Sequence, residues 1–244
     1  MATNTRNVIV GAADLFVSTG TGSSRPATTD AALSTLFGGS SKASARTGLI
    51  NSANYREVGY TSTGLEVSYE PVYGEVMVDQ LLDAARLFKQ TLKVILKSEL
   101  AEATLENLQL SWGQMDTYYA NTGSAIAPVT NLNESTPVSG ETGATLNLAA
   151  GALGDAPVER VLIAVGNAPR TIGAATGGST SDLRNKERVY VARRVVSIDT
   201  TMHALKRDAA TVFPVNFRCL PDDTDPSYAG REYGVVIDRV WGTI

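Results

Sequence analysis

The sequence predicts a mainly β (α+β) fold, a β-sandwich or barrel with one flanking α-helix and a long loop or N-terminal arm. Three observations predict it. Short stretches of alternating apolar and polar residues recur along the chain, the pattern of half-buried strands. Only one stretch carries a clear helical period. One long segment, 18–47, cannot pack by itself, and another, 121–155, is again rich in Thr, Gly, Ala and Asn.

Taken in order, Asn7 to Val17 reads as a first strand. In Ser18 to Thr47, 22 of 30 residues are Ser, Thr, Gly or Ala. Leu33, Leu36 and Phe37 are its only large apolar side chains, which suits a free linker or an arm that orders against a neighbouring subunit. Glu57 to Asp79 reads as a hairpin. Glu57–Thr61 runs through Ser62-Thr63-Gly64 into a strand in which Leu65, Val67 and Tyr69 point one way, and Glu66, Ser68 and Glu70 the other. One side of such a sheet is buried and the other presents carboxylates, a surface that repels polyanions. Pro71-Val72-Tyr73-Gly74 breaks or bends the second strand before alternation resumes at Glu75 to Asp79, with Val76 and Val78 inward.

Asp79 to Phe88 fits helix and strand alike. Thr91 to Lys97 is a clearer strand, with Leu92, Val94 and Leu96 on one face. A helix follows: Ala101, Leu105, Leu108 and Trp112 form an apolar stripe, Ser98 serves as N-cap and Gly113 as the C-terminal stop. Asn121 to Asp155 is a loop or small insertion with a possible strand at Ala144 to Leu148. Val158–Val165, Arg188–Ile198, Thr211–Leu220 and Tyr233–Trp241 supply four more strands. The whole is expected to form a single domain spanning 1–244.

Composition narrows the function. At 244 residues the chain can bury a sizeable core. Lys+Arg 21 against Asp+Glu 25, a net charge of −4, argues against tight nucleic-acid binding driven by counterion release. The single Cys219 excludes an intrachain disulfide and reads as a buried, inert thiol. No segment approaches the roughly 18 apolar residues of a membrane span, and Val8-Ile9-Val10 is too short for a signal h-region, so the expected location is the cytoplasm.

Chemistry is sparse. One histidine, His203, cannot build a multi-histidine metal site and has no nucleophile elbow beside it, so it reads as structural. Asp222-Asp223-Thr224-Asp225 lacks the Gly and terminal Glu of a calcium loop and reads as a solvated acidic turn. Gly20-Thr21-Gly22 lacks the remainder of a phosphate loop. Arg193-Arg194 and Lys206-Arg207 read as solvated strand faces or salt-bridge partners at subunit contacts. No catalytic, cofactor-binding or metal-binding residue is identified.

Val10-Gly11-Ala12-Ala13, Glu57 to Gly64, Glu99 to Leu108, Tyr190 to Val196 and Thr211 to Asp222, taken as an ordered set, resemble the major tail tube protein of long-tailed, non-contractile bacteriophages. The resemblance covers most of the chain outside 121–155. It implies a tail-tube β-sandwich without enzymatic activity or cofactor. Hexameric rings of such subunits stack into a tube around a tape measure protein, meet tail terminator and distal tail proteins at its ends, and conduct double-stranded DNA during ejection without binding it specifically. The place implied is the virion tail, reached from the host cytoplasm, with no membrane partner. On this reading Leu33, Leu36 and Phe37 anchor an inter-subunit arm, and Glu66 and Glu70, with Glu75 and Asp79, line an acidic lumen. The residues alone also allow a monomeric β-sandwich binding module, carbohydrate-binding or adhesin-like, and least readily an enzyme on a β-scaffold.

Overall fold

In the computed structural model the described residues are 13–38, 42–77, 85–113, 128–129, 143–144, 153–154, 156–168, 186–198, 202–205, 207 and 210–240. The strands are β1 (Asp14–Ser18), β2 (Tyr55–Glu57), β3 (Glu66–Val76), β4 (Arg86–Leu100), β5 (Pro128–Val129), β6 (Gly143–Ala144), β7 (Glu159–Asn167), β8 (Lys186–Ile198), β9 (Phe213–Cys219) and β10 (Gly234–Val240). Three α-helices join them: α1 (Asp30–Leu36), α2 (Lys42–Ile50) and α3 (Leu105–Trp112). The fold is mainly β, as predicted. Eight strands form one antiparallel sheet in the order β2-β1-β7-β8-β9-β4-β3, with β10 also paired to β8, and β5 and β6 pair separately.

Alternation along the central strands loads both faces of this sheet. Leu15 and Val17 of β1, Leu162 and Ala164 of β7, and Phe213, Val215, Phe217 and Cys219 of β9 share one buried cluster with Leu96 and Leu100 of β4. Phe16, Ile163, Val165, Val189 and Val191 point the other way, into a second cluster with Leu33, Leu49 and Tyr55. Three strands separate β1 from β4 in the sheet order, yet their side chains meet, so the sheet curls on itself. The segment after β2 bridges the two ends: the Val58 amide donates to the Leu15 carbonyl at 3.0 Å, the Ala101 amide to Tyr60 at 2.8 Å and the Ser62 amide to Glu99 at 2.9 Å.

Several boundaries differ from the sequence expectation. Glu57–Thr61 and Leu65–Glu70 do not pair as a hairpin, because β2 pairs with β1 and β3 with β4. Thr91 to Lys97 is the middle of the fifteen-residue β4, which takes in Arg86 to Phe88 from the ambiguous stretch; 78–84 lie outside the described residues. The helix starts at Leu105, with the Thr104 side chain accepting from the Asn107 amide, while Ser98 lies in β4. Gly113 ends it as expected, in the left-handed conformation at φ 62°. Its buried residues are Asn107, Gln109, Leu110 and Ser111, and of the expected apolar stripe Leu108 packs partly buried on the core. Asn107 can be buried because its amide donates to the carbonyls of Val58 and Glu102 and its oxygen accepts from Arg56.

The largest correction concerns Ser18 to Thr47. It contains α1 and most of α2, and its few apolar residues pack within the subunit. Leu33 is buried, and Leu36 and Phe37 pack against the same cluster. Polar contacts hold the segment too. Arg193, 1% exposed, donates through Nη1 to the Thr28 carbonyl and hydroxyl, through Nε to the Arg231 carbonyl at 3.1 Å, and lies 4.0 Å from the Tyr228 ring centre. Asp30 takes a two-pronged bond from Arg231 at 2.9 and 2.8 Å. Of the three side chains expected to anchor an arm on a neighbour, Leu33 is thus committed to its own subunit's core and Leu36 and Phe37 pack against it partly buried. Arg193 is likewise internal, whereas Arg194 is partly exposed and pairs with Glu159 of its own subunit.

Candidate functional site

Among the described residues the β3–β4 hairpin runs past its pairing with β9, and β2 and β10 also have open edges. Strand β4 pairs with β9 only from Val94 to Leu100, while its pairing with β3 runs from Arg86 to Lys97. Beyond Leu92 the hairpin leaves the sheet as a two-stranded ribbon. Its apolar residues are uncovered: Tyr69 is 60% exposed, Tyr73 57%, Leu87 60% and Phe88 47%, with Val67, Val72, Val76 and Met77 also exposed. The expected buried side therefore holds only at the root, where Leu96 is buried and Leu65 and Val94 pack on the core. Exposed apolar side chains on both faces of one ribbon mark an interaction site.

The register shows which side chains share a face. Pairing steps from Val72↔Thr91 to Tyr73↔Lys89, so the bulge that absorbs Gln90 lies in β4 and alternation in β3 continues unbroken. Glu66, Ser68, Glu70, Val72, Gly74 and Val76 share one face, and Val67, Tyr69, Pro71, Tyr73 and Glu75 the other. Glu75 is thereby separated from Glu66 and Glu70, because Pro71 on an edge strand does not interrupt the ladder and so does not reset the parity. Asp79 lies outside the described residues. On the second face the Lys89 ammonium donates to the Tyr69 hydroxyl at 2.9 Å and sits 5.3 Å from its ring centre. That bond holds the Lys89 pKa above its ordinary value.

The carboxylate face is not purely acidic. Glu66 stands opposite Lys97 and Glu70 opposite Lys93, and such directly opposed charges attract. Arg218, opposite Ile95 in β9, and Arg86, opposite Val76, belong to the same face. The expectation of an acidic wall fails because it counted β3 alone.

Sorted by strand instead of by face, the charges separate. All three ionised side chains of β3 are acidic: Glu66, Glu70 and Glu75. Over the stretch that β9 leaves uncovered, β4 carries only bases: Arg86, Lys89 and Lys93. Each of these strands has an outer edge with no strand partner among the described residues. One subunit thus displays an acidic open edge and a basic open edge on the same ribbon. The sequence contained this signal, legible only once the two segments are known to pair.

Other sequence candidates have structural duties. Asp222 is buried, not solvated; it accepts from the Thr224 amide and hydroxyl and faces Arg25 at 3.6 Å. Asp225 caps the turn at Pro226–Tyr228. His203 lies between Trp112 and Phe213, ring centres 6.0 and 5.0 Å away, tilted to the first and edge-to-face with the second. Cys219 is buried and free, and burial pushes its thiol up to about 12. Among the described residues no His, Cys, Asp and Glu cluster could hold a metal, and no helix is long and apolar enough to cross a membrane. A groove of about 360 Å3 between α1 and β10 is floored by Leu33, Phe37, Val189 and Ile237, with Asp30 and Arg239 at its rim. The chain matches no family model and no curated protein sequence.

Proposed function

We propose that this chain is a structural subunit that joins copies of itself edge to edge into rings, and that the rings stack into a tail tube conducting double-stranded DNA. The observation that carries the reading is the ribbon with one acidic and one basic open edge. An edge strand that stays open invites aggregation, and pairing it with another copy removes the hazard. Laying β3 of one copy along the free part of β4 in the next sets Glu66, Glu70 and Glu75 beside Arg86, Lys89 and Lys93. Laying β3 against β3 sets like charges together, which disfavours a two-fold dimer. Head-to-tail joining of unlike edges propagates until the rotation closes, and closure gives a ring. The resemblance to tail tube proteins supplies hexamer, stacking and DNA passage, together with tape measure, tail terminator and distal tail proteins as partners in the virion.

The bore of such a ring has a definite chemistry. If the Glu66–Lys97 and Glu70–Lys93 face looks inward, it offers DNA a charge-compensated wall with little net attraction or repulsion, suited to a passage that must not hold its cargo. The apolar residues at the ribbon tip are covered by neighbours. Negative-stain microscopy of the purified chain across a concentration series tests the reading. Rings and tubes support it. Monomers throughout, at millimolar protein and low salt, refute it in favour of a solitary binding module.

A further inference from the structure

The open edge of β3 carries a built-in interruption. Backbone groups alternate in direction along a strand, and two bonds fix the phase in β4. The Glu99 carbonyl accepts from Ser62 and the Ala101 amide donates to Tyr60, so odd-numbered residues of β4 between Lys93 and Ala101 aim their groups at the side on which β3 lies. Even-numbered ones aim away, and the Tyr233 hydroxyl meets the Leu92 carbonyl from that far side at 3.5 Å. Glu70↔Lys93 is then a hydrogen-bonded pair and Pro71↔Leu92 a non-hydrogen-bonded one. In such a pair both residues direct their main-chain groups outward, so Pro71 occupies the solvent edge of β3. There Val67, Tyr69 and Tyr73 offer N–H donors and Pro71 offers none.

We infer that Pro71 is a gate on strand addition: its missing donor stops the β3 edge from accepting arbitrary β-strands in arbitrary registers, and so keeps self-association to the ordered joint. This rests on reading β3 as the edge where copies meet. The need is plain from the neighbouring residues. Val67, Tyr69, Val72, Tyr73 and Val76 are exposed and of high β-propensity, the residue types that let an open edge recruit further strands. A proline whose nitrogen faces solvent interrupts such a segment at no cost to the internal ladder. The bulge at Gln90 breaks the regular spacing of the β4 edge.

The test is Pro71→Ala, which restores the donor without adding apolar area, and Pro71→Val, which restores it with higher β-propensity, both in the full chain. Thioflavin T fluorescence and microscopy follow assembly, and thermal melts check the fold. The gate predicts fibrils in both variants, with onset at least about fivefold earlier than in the parent chain, the ratio that one net hydrogen bond carries. Tyr69→Pro, a second gap on the same outward row, keeps the parent melting behaviour and lowers self-association, whereas Glu70→Pro, which removes an internal bond, unfolds the ribbon. Parent rings with Pro71 variants that assemble identically overturn the gate and leave the rings standing. A parent chain that stays monomeric while both variants form fibrils supports the gate and overturns the ring reading. A Tyr69→Pro chain that melts like Glu70→Pro overturns the phase assignment and the gate with it.

Discussion

Leu33→Ala separates a free arm from an integral piece of the core. Leu33 is 4% exposed and packs with Phe16, Leu49, Val161 and Ile163 on the helix-covered side of the sheet. Truncating a leucine in such a setting removes about three methylene equivalents of burial and leaves a partly collapsed cavity, together worth about 2–5 kcal/mol. In a chain of this size about 1 kcal/mol moves the midpoint by roughly 2–4 °C. A central cost of about 3 kcal/mol therefore lowers the melting temperature by roughly 6–12 °C. The assay is thermal or urea unfolding of dilute, monomeric protein, so that lost subunit contacts contribute nothing. A loss under about 0.5 kcal/mol, the range of an ordinary surface substitution, would refute the packing argument and restore the arm.

Three further outcomes follow from the charges and the thiol. Reversing Glu66, Glu70 and Glu75 to Lys together abolishes the acidic edge: self-association measured by light scattering falls most at low salt and the deficit shrinks as salt screens the repulsion, whereas equal assembly at every ionic strength would contradict head-to-tail charge pairing. The Arg231 bond to Asp30 and the Arg188 bond to Asp238 hold both carboxyls below their ordinary 3.8. Their stabilisation is present above the ordinary value and lost as pH falls through the depressed folded values, so Asp30→Asn with Asp238→Asn flattens the acid limb of the stability curve and lowers stability at neutral pH; an unchanged acid limb counts against it. With its thiol pushed up to about 12, Cys219 resists alkylation at pH 8 in native protein and reacts once urea unfolds the chain. Rapid labelling of native protein would place β9 outside the core.

Much of the β architecture was legible because alternation is a local signal. The strands at 159–167, 186–198, 213–219 and 234–240 lie within two residues of their expected bounds, and Gly113 was found from the helix end it permits. Composition misled at Ser18 to Thr47. Small residues there hide two helices whose Leu33 and Leu49 are buried with partners far away in sequence, among them Val161, Ile163, Val189 and Val191, and no local pattern reports such contacts. Asn107 shows the same limit, since a polar residue is buried wherever distant carbonyls await it. The acidic face failed for a related reason: a strand's charge has meaning only beside its neighbour's, and Lys93 and Lys97 stand across from Glu70 and Glu66.

Amide hydrogen exchange on dilute and on concentrated protein tests the joining of edges most directly. The account predicts that protection rises with assembly in two segments together, the outer edge of β3 at Glu66–Val76 and the free stretch of β4 from Arg86 to Lys93, with the rest of the sheet little changed. Assembly that protects other surfaces while both ribbon edges exchange as in the monomer would contradict it.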